Sequence, residues 1–273
     1  MLSVTSRTIR RAPLPASPAD IKIIQDLLRP DRWEGQTLKS SGELALAVGA
    51  YFLGTPYVAG TLEKGKRESL QINLRQLDCF TFVENTMALA GLIRLGKSSF
   101  ADFATSLEAI RYRKGLLDGY PSRLHYFSDW LYDNQEKGWI KDITKEIGGE
   151  PFRKQFSFMT ANRDKYPALQ CPDTYRRMRA VEKACSERSL YHLLKARLRA
   201  CVDKIQNGDL IAVTTDIEGL DVVHAGMAVK IKKSLHLLHA SQRAGEVVIS
   251  GETLYRYLVQ RKSSQGIMVA RIL

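Results

Sequence analysis

The chain has 273 residues, 44% of them apolar and 26% charged, which excludes a disordered polypeptide and leaves ample length for a large core. Lys and Arg number 41 against 29 Asp and Glu, a net charge of +12 that suits an anionic partner, nucleic acid or wall polymer, without choosing between them. No run approaches the roughly 18 consecutive apolar residues of a membrane span, and residues 1–20 lack the apolar centre of a secretory signal.

Residues 1–18, with Pro13, Pro15 and Pro18, read as an extended arm. A short helix follows in IKIIQDLLRP, stopped by Pro30. Residues 41–53 repeat apolar side chains at helical spacing, with Ser41 as N-cap and Gly54 and Pro56 as terminators. After the extended segment SLQINL, the stretch LDCFTFVENTMALAGLIRLGK predicts a helix apolar on two sides and therefore buried. Asp78 falls at its N-cap, Cys79 in its first turn, and Gly96 at its end. Residues 99–113 predict a further helix, and 114–170 a long excursion of short helices and one hairpin. Residues 173–204 read as helical and very basic, with the charge on a solvated face. Beyond Asn207-Gly208 come five strands, DLIAVTT, DVVHAGMAVKI, LHLLHAS, EVVIS and GIMVARI. Helices first and strands last argue for an α+β fold with an antiparallel sheet.

The four cysteines, Cys79, Cys171, Cys185 and Cys201, form no CxxC pair, so neither a zinc knuckle nor a disulfide scaffold is expected. Cys171, Cys185 and Cys201 read as buried, inert thiols. Strand parity sorts the histidines. His224, Gly226, Ala228 and Lys230 share one strand face; a hairpin through Lys232-Lys233 with an even loop length brings His239 and Ser241 onto that face, whereas an odd loop would separate the histidines. With Lys230 opposite Leu235, His239 lies opposite Gly226 and diagonal to His224, within side-chain reach. A helix carrying Cys79 and laid across this face completes a hydrolase arrangement. The first-turn thiol, its pKa lowered by free N–H groups, is the nucleophile, and the Cys79 N–H meets an oxyanion. His224 takes the thiol proton and His239 orients the ring. On these residues alone, a core cysteine beside two satisfied histidines stays open. His236 and His239 point to opposite faces and cannot chelate together, and no HExxH pair exists, so neither metal nor cofactor is expected.

GTPYVAG (54–60), LDCFTFVEN (77–85), NGDLIAV (207–213), VVHAGMAV (222–229) and LLHAS (237–241) occur in the order and spacing of the NlpC-type cell-wall cysteine hydrolases, a papain-like superfamily. The insertion RLHYFSDWLYDN (123–134) and GLDVVHAG (219–226) bring the chain closer to a branch once catalogued as a domain of unknown function. The resemblance covers roughly residues 40–273, and its five motifs in order are far more specific than any one alone. It implies a papain-like NlpC-type fold, with N-terminal helices packed on the C-terminal sheet. It also implies a single catalytic domain over 19–273 with an insertion at about 114–204. The implied reaction is hydrolysis of the amide between N-acetylmuramic acid and L-alanine; cleavage at the γ-D-glutamyl–diamino-acid bond is the superfamily alternative. Cys79, His224 and His239 take the catalytic positions. Tyr57 resembles the tyrosine over the cleft, and Asp78 the acidic residue that meets polar substrate groups. Phe80 stands where a serine usually follows the nucleophile, which weakens any requirement for a free stem-peptide amine.

Arg123, His125, Asp129 and Trp130, with Arg163 and Tyr166, are candidates for the sugar or stem-peptide site. The expected partner is peptidoglycan or a soluble muropeptide, met outside the cytoplasm by a monomer with no integral membrane segment and no nucleic acid. The rival from another class is a basic nucleic-acid-binding protein with an inert Cys79, for which no recognition helix or aromatic RNA-binding strand appears.

Overall fold

The structure is a computed structural model that describes residues 16–35, 40–63, 65 and 67–273. The predicted arm at 1–18 therefore lies almost wholly outside the described residues, and the first helix, α1, spans Pro18–Leu27 with Ser17 as its cap. Helix α2 (Ser41–Tyr51) is capped by Ser40, which accepts the Glu43 N–H at 3.1 Å, so the expected cap at Ser41 moves back by one residue. Helix α3 (Cys79–Arg94) begins at Asp78 as expected. It ends at Gly96 (φ +63°) with the paired bonds Gly96 N–H to Ile93 O and Lys97 N–H to Leu92 O that close a Schellman turn. Helix α4 (Phe100–Arg111) packs beside it and supplies Arg111, whose Nε donates to Glu84 Oε2 of α3 at 2.6 Å in the interior.

The excursion holds α5 (Phe127–Glu136), β1 (Ile140–Asp142), β2 (Glu150–Phe152) and α6 (Phe158–Ala161). It contains no hairpin of its own: β1 pairs with the final strand, β8 (Ser264–Ile272), and β2 pairs with β3 (Leu190–Leu194). Helix α7 covers only Pro172–Ser186, so the long helix predicted over 173–204 breaks in two. Its second half supplies β3, because the free edge of β8 recruits Leu193 and Leu194 against the helical preference of LLKARLR. A short helix, α8 (Leu198–Cys201), follows.

The remaining strands are β4 (Leu210–Thr215), β5 (Val222–Ile231), β6 (Ser234–Ser241) and β7 (Glu246–Ile249), joined to β8 through helix α9 (Leu254–Val259). The sheet runs β2-β3-β8-β4-β5-β6-β7, antiparallel throughout. Mixed helices over an antiparallel sheet are thus the α+β arrangement expected. Alternation divides the sheet cleanly. Leu210, Ala212, Ala225, Met227, Leu238 and Met268 face α1–α5, while Ile211, Val213, Ala228, Leu237, Ile267 and Val269 face α8 and α9. A third cluster, around Tyr126, Phe156, Leu169 and Met178, is the excursion's own core. The turn into β4 passes so close to α2 that a Cβ on Gly208 (φ +79°) would lie 1.9 Å from Gly42 O. Among the described residues, no helix is long and apolar enough to cross a membrane.

Candidate active site

The site begins with a helix cap. Asp78 Oδ1 accepts the Phe80 N–H at 3.1 Å and the Thr81 N–H at 2.8 Å, while Thr81 Oγ1 accepts the Asp78 N–H at 2.9 Å. This reciprocal box fixes Cys79 at the first helical position. Just upstream, Leu77 is bridged to the 56–58 segment through Val58 N–H to Leu77 O (3.1 Å) and Leu77 N–H to Pro56 O (3.0 Å). Tyr57 donates its own N–H to Gly245 O at 2.7 Å, so its backbone is strapped between the cap and the β6–β7 turn. Burial pushes its hydroxyl up to about 12, with the charges of Cys79 and Asp78 adding to the effect. Tyr57, Asp78 and Cys79 therefore lie together at the start of α3.

The thiol departs from expectation. Burial, and then the Asp78 carboxylate, push Cys79 up to about 12, against the N–H groups of Ala225, Cys79 and Phe80, which favour the thiolate. A first-turn position supplies the donors but does not outweigh desolvation. At rest the Cys79 side chain is a neutral thiol.

The hairpin register is the expected one: Lys230 lies opposite Leu235 and Met227 opposite Leu238. Beyond that last pair, β5 continues against β4 and β6 against β7, so their own ladder opens. His224 Nε2 and His239 Nδ1 bridge the opening at 2.6 Å, with the two rings nearly perpendicular at 86°. Gly226 is required here. A Cβ would meet Leu238 O at 2.8 Å and His239 Cβ at 2.9 Å. Burial, then His239, then Arg261 hold His224 well below the ordinary imidazole range. Burial and Arg261 lower His239 to about 4. Both imidazoles are therefore neutral bases. When His224 Nε2 carries the shared proton, its Nδ1 lone pair is free.

Helix α3 does not lie across the histidine face. Its body packs on the opposite face, against Ala225, Met227 and Leu238, because its two apolar stripes match the larger core. Only its N-terminus reaches the opening, where the sulfur meets the N–H of Ala225, the residue after His224. Among the described residues no hydrogen bond joins Cys79 to His224, an arrangement common in unliganded sites whose catalytic bonds tighten on binding.

The other candidates divide. Asp129 and Trp130 are each 0% exposed. Asp129 accepts a bidentate pair from Arg113 at 2.9 and 2.7 Å and a further bond from Arg188 at 2.5 Å. Trp130 stacks on Phe127 and meets Phe80 edge-on. Both are interior side chains: Asp129 ties α5 to Arg113 and Arg188, and Trp130 anchors α5 to Phe80 in the first turn of α3, so neither presents surface to a substrate here. Phe80 is the other half of that anchor, its ring 5.0 Å from Phe127. Arg123 is 4% exposed, paired with Glu63 and bonded to Leu62 O at 3.1 Å. His125 Nε2 meets Tyr120 O at 2.9 Å. Both flank Tyr120, which with Glu63, Glu68 and Cys171 lines a cavity of about 710 Å³. Tyr166 is half-buried against the excursion's core, and Arg163 is spent on Leu169 O and Gln170 O. Of the other cysteines, Cys185 and Cys201 are buried as expected, but Cys171 is exposed ahead of α7. There the N–H and hydroxyl of Thr174 lower its thiol.

Three residues at the site escaped sequence reasoning. Asp221 Oδ2 accepts the Ser128 N–H at 2.7 Å and ties the entry of β5 to α5; its place three residues before His224 was the available signal. Tyr257 and Arg261, on and after α9, stand against the histidines, and no pattern in LYRYLVQ announced them. His236 points away and meets Ser250 O at 2.9 Å. Among the described residues no three His, Cys, Asp or Glu side chains form a cluster suited to a metal ion.

Residues 47–267, which span every element of this site, match the family model AmiA-like, N-acetylmuramoyl-L-alanine amidase-like. An N-acetylmuramoyl-L-alanine amidase from Bacteroides uniformis ATCC 8492 superposes with a TM-score of 0.82 at 36% identity, covering 85% of this chain and 99% of its own. A Bacteroides fragilis protein named a "putative xylanase" gives 0.79 at 41% identity, over 83% of this chain and 100% of its own. The fold extends to protein LPG0564 of Legionella pneumophila str. Philadelphia 1, at 0.67 and 22% identity over 93% of this chain and 95% of its own. No curated protein matches the chain. A match over this length, carrying the cap, the opened hairpin and both histidines, makes the chain a member of the AmiA-like, N-acetylmuramoyl-L-alanine amidase-like family.

Proposed function

We propose that the protein is a papain-like cysteine amidase of the NlpC type, acting outside the cytoplasm on the bond between N-acetylmuramic acid and L-alanine in peptidoglycan or its soluble fragments. The observation that carries this reading is the meeting of the Cys79 sulfur with strand β5 beside a histidine pair bonded at 2.6 Å. His224 Nδ1 takes the thiol proton as sulfur attacks the lactyl carbonyl, so no preformed thiolate is needed. The Cys79 N–H, free at the helix start, stabilises the oxyanion. On collapse the C–N bond breaks, and the His224 imidazolium, oriented by His239, protonates the departing L-alanine amine. Water, deprotonated by His224, then cleaves the thioester to release the muramic carboxylate and regenerate the thiol. Tyr57 and Asp78 border the sulfur and are assigned to holding the substrate.

The test is digestion of muropeptides read by mass spectrometry. Wild-type protein releases the stem peptide with a free L-alanine amine, and Cys79→Ala abolishes release while the protein stays folded. Activity survives EDTA. Full activity in the Cys79→Ala variant sinks the mechanism. Fragments cut after D-glutamate would assign the γ-D-glutamyl–diamino-acid bond instead. Phe80, packed against Phe127 in place of a serine, favours the sugar–peptide junction.

A further inference from the structure

We propose that Tyr257 is a positioning residue whose ring holds the His224–His239 pair in the orientation that leaves one imidazole nitrogen free for the thiol. This rests on the cysteine-amidase reading above. Three rings form a closed triangle: His224 to His239 is 4.8 Å between centroids, His239 to Tyr257 is 5.4 Å, and His224 to Tyr257 is 5.9 Å. Tyr257 meets His239 edge-on at 88° and lies tilted at 34° to His224, so it walls both. The wall matters because the terminal torsion of histidine is broad and two-fold. A half-turn of His224 puts carbon where nitrogen stood and breaks the 2.6 Å bond.

Tyr257 is itself fixed. Helix α9 turns Leu254, Tyr257 and Leu258 toward the sheet, and Tyr257 is 3% exposed. The Arg261 guanidinium lies 3.4 Å from the ring centroid, and its Nη1 donates to Tyr257 O at 3.0 Å. The sequence of contacts runs from Arg261 to the Tyr257 ring, then to the imidazole pair, and ends at the opening that holds Cys79.

Steady-state kinetics on a soluble muropeptide, with imidazole 15N NMR, test this. Tyr257→Leu lowers kcat on the order of 10²-fold at unchanged KM, as a reacting group displaced by about 1 Å does. Its NMR spectrum shows the two histidines exchanging between tautomers. Tyr257→Phe, which keeps the ring, restores most of kcat and the single tautomer. Tyr257→Met removes the ring while filling more of the core than Leu; it lowers kcat in the same sense, and it decides the matter if the Leu variant does not fold. Wild-type kcat in a folded Tyr257→Leu or Tyr257→Met protein overturns the proposal, and so does equal damage in the Phe and Leu variants. Cys79→Ala separates the two readings: inactive Cys79→Ala with fully active Tyr257→Leu removes the positioning role alone, whereas active Cys79→Ala removes the cysteine mechanism.

Discussion

A thiol raised to about 12 beside imidazoles held low defines a resting pair in which neither partner is charged. This sets a pH profile unlike that of a thiolate–imidazolium enzyme. The kcat/KM should be level from neutral pH into the mildly alkaline range and fall only in acid, as the histidine pair takes up a proton. Ultraviolet absorbance should detect no Cys79 thiolate near neutrality; a thiolate titrating below pH 7 would refute the neutral-pair assignment. The same histidines link stability to pH. His239 is near 4 when folded and near 6.5 when unfolded, so the unfolded chain binds more protons between those values. Its contribution is intact above about 6.5 and is lost as pH falls toward 4, roughly 3 kcal/mol at most at 1.36 kcal/mol per unit. Parity along 221–241 was enough to read which histidines meet. The sign of the thiol shift was not legible, because a sequence displays the N–H donors of a first turn but not the desolvation that opposes them.

At the level of elements, the site depends on two strands that pair and then part. Strands β5 and β6 leave their ladder after Met227 and Leu238, and Gly226 stands at the divergence with no room for a side chain. A methyl at 226 must push β6 or the His239 side chain outward by several tenths of an ångström. Gly226→Ala should therefore cost about 1–3 kcal/mol, as overpacking does, and should lower kcat by more than its stability loss alone explains. Denaturant melts paired with kinetics check this; wild-type kcat in the folded variant would show that the opening tolerates a shift of the histidine pair. The α3 cap, its glycine terminus and the hairpin register were all readable, since each is a local rule. Two elements were not. Strand β3 forms where LLKARLR favours helix, because the edge of β8 offers unpaired backbone groups that no local rule anticipates. Helix α9 has only six residues, too short for periodicity to identify, although it delivers Tyr257.

For the whole molecule, helices first and strands last gave the α+β class, but not which sheet face each helix would take. That assignment came from matching two core surfaces, and it puts the body of α3 behind the strand that bears His224. The net charge of +12 is likewise a property of the molecule and not of the site. Helix α7 buries Met178, Glu182 and Cys185 and exposes Arg176, Arg179 and Lys183 on its outer face. Such charge attracts an anionic wall through solvent, where screening shortens its reach from about 10 Å at 0.1 M salt to about 3 Å at 1 M. Chemistry between partly buried neutral groups is screened far less. Retention on intact sacculi should therefore fall steeply with salt, and fall again when Arg176, Arg179 and Lys183 are changed together to Gln. Over the same range, kcat/KM on a neutral soluble muropeptide should hold, in wild type and triple variant alike. Parallel loss of both would move the charge into the cleft, and salt-sensitive retention on DNA in place of sacculi would return the molecule to the nucleic-acid reading.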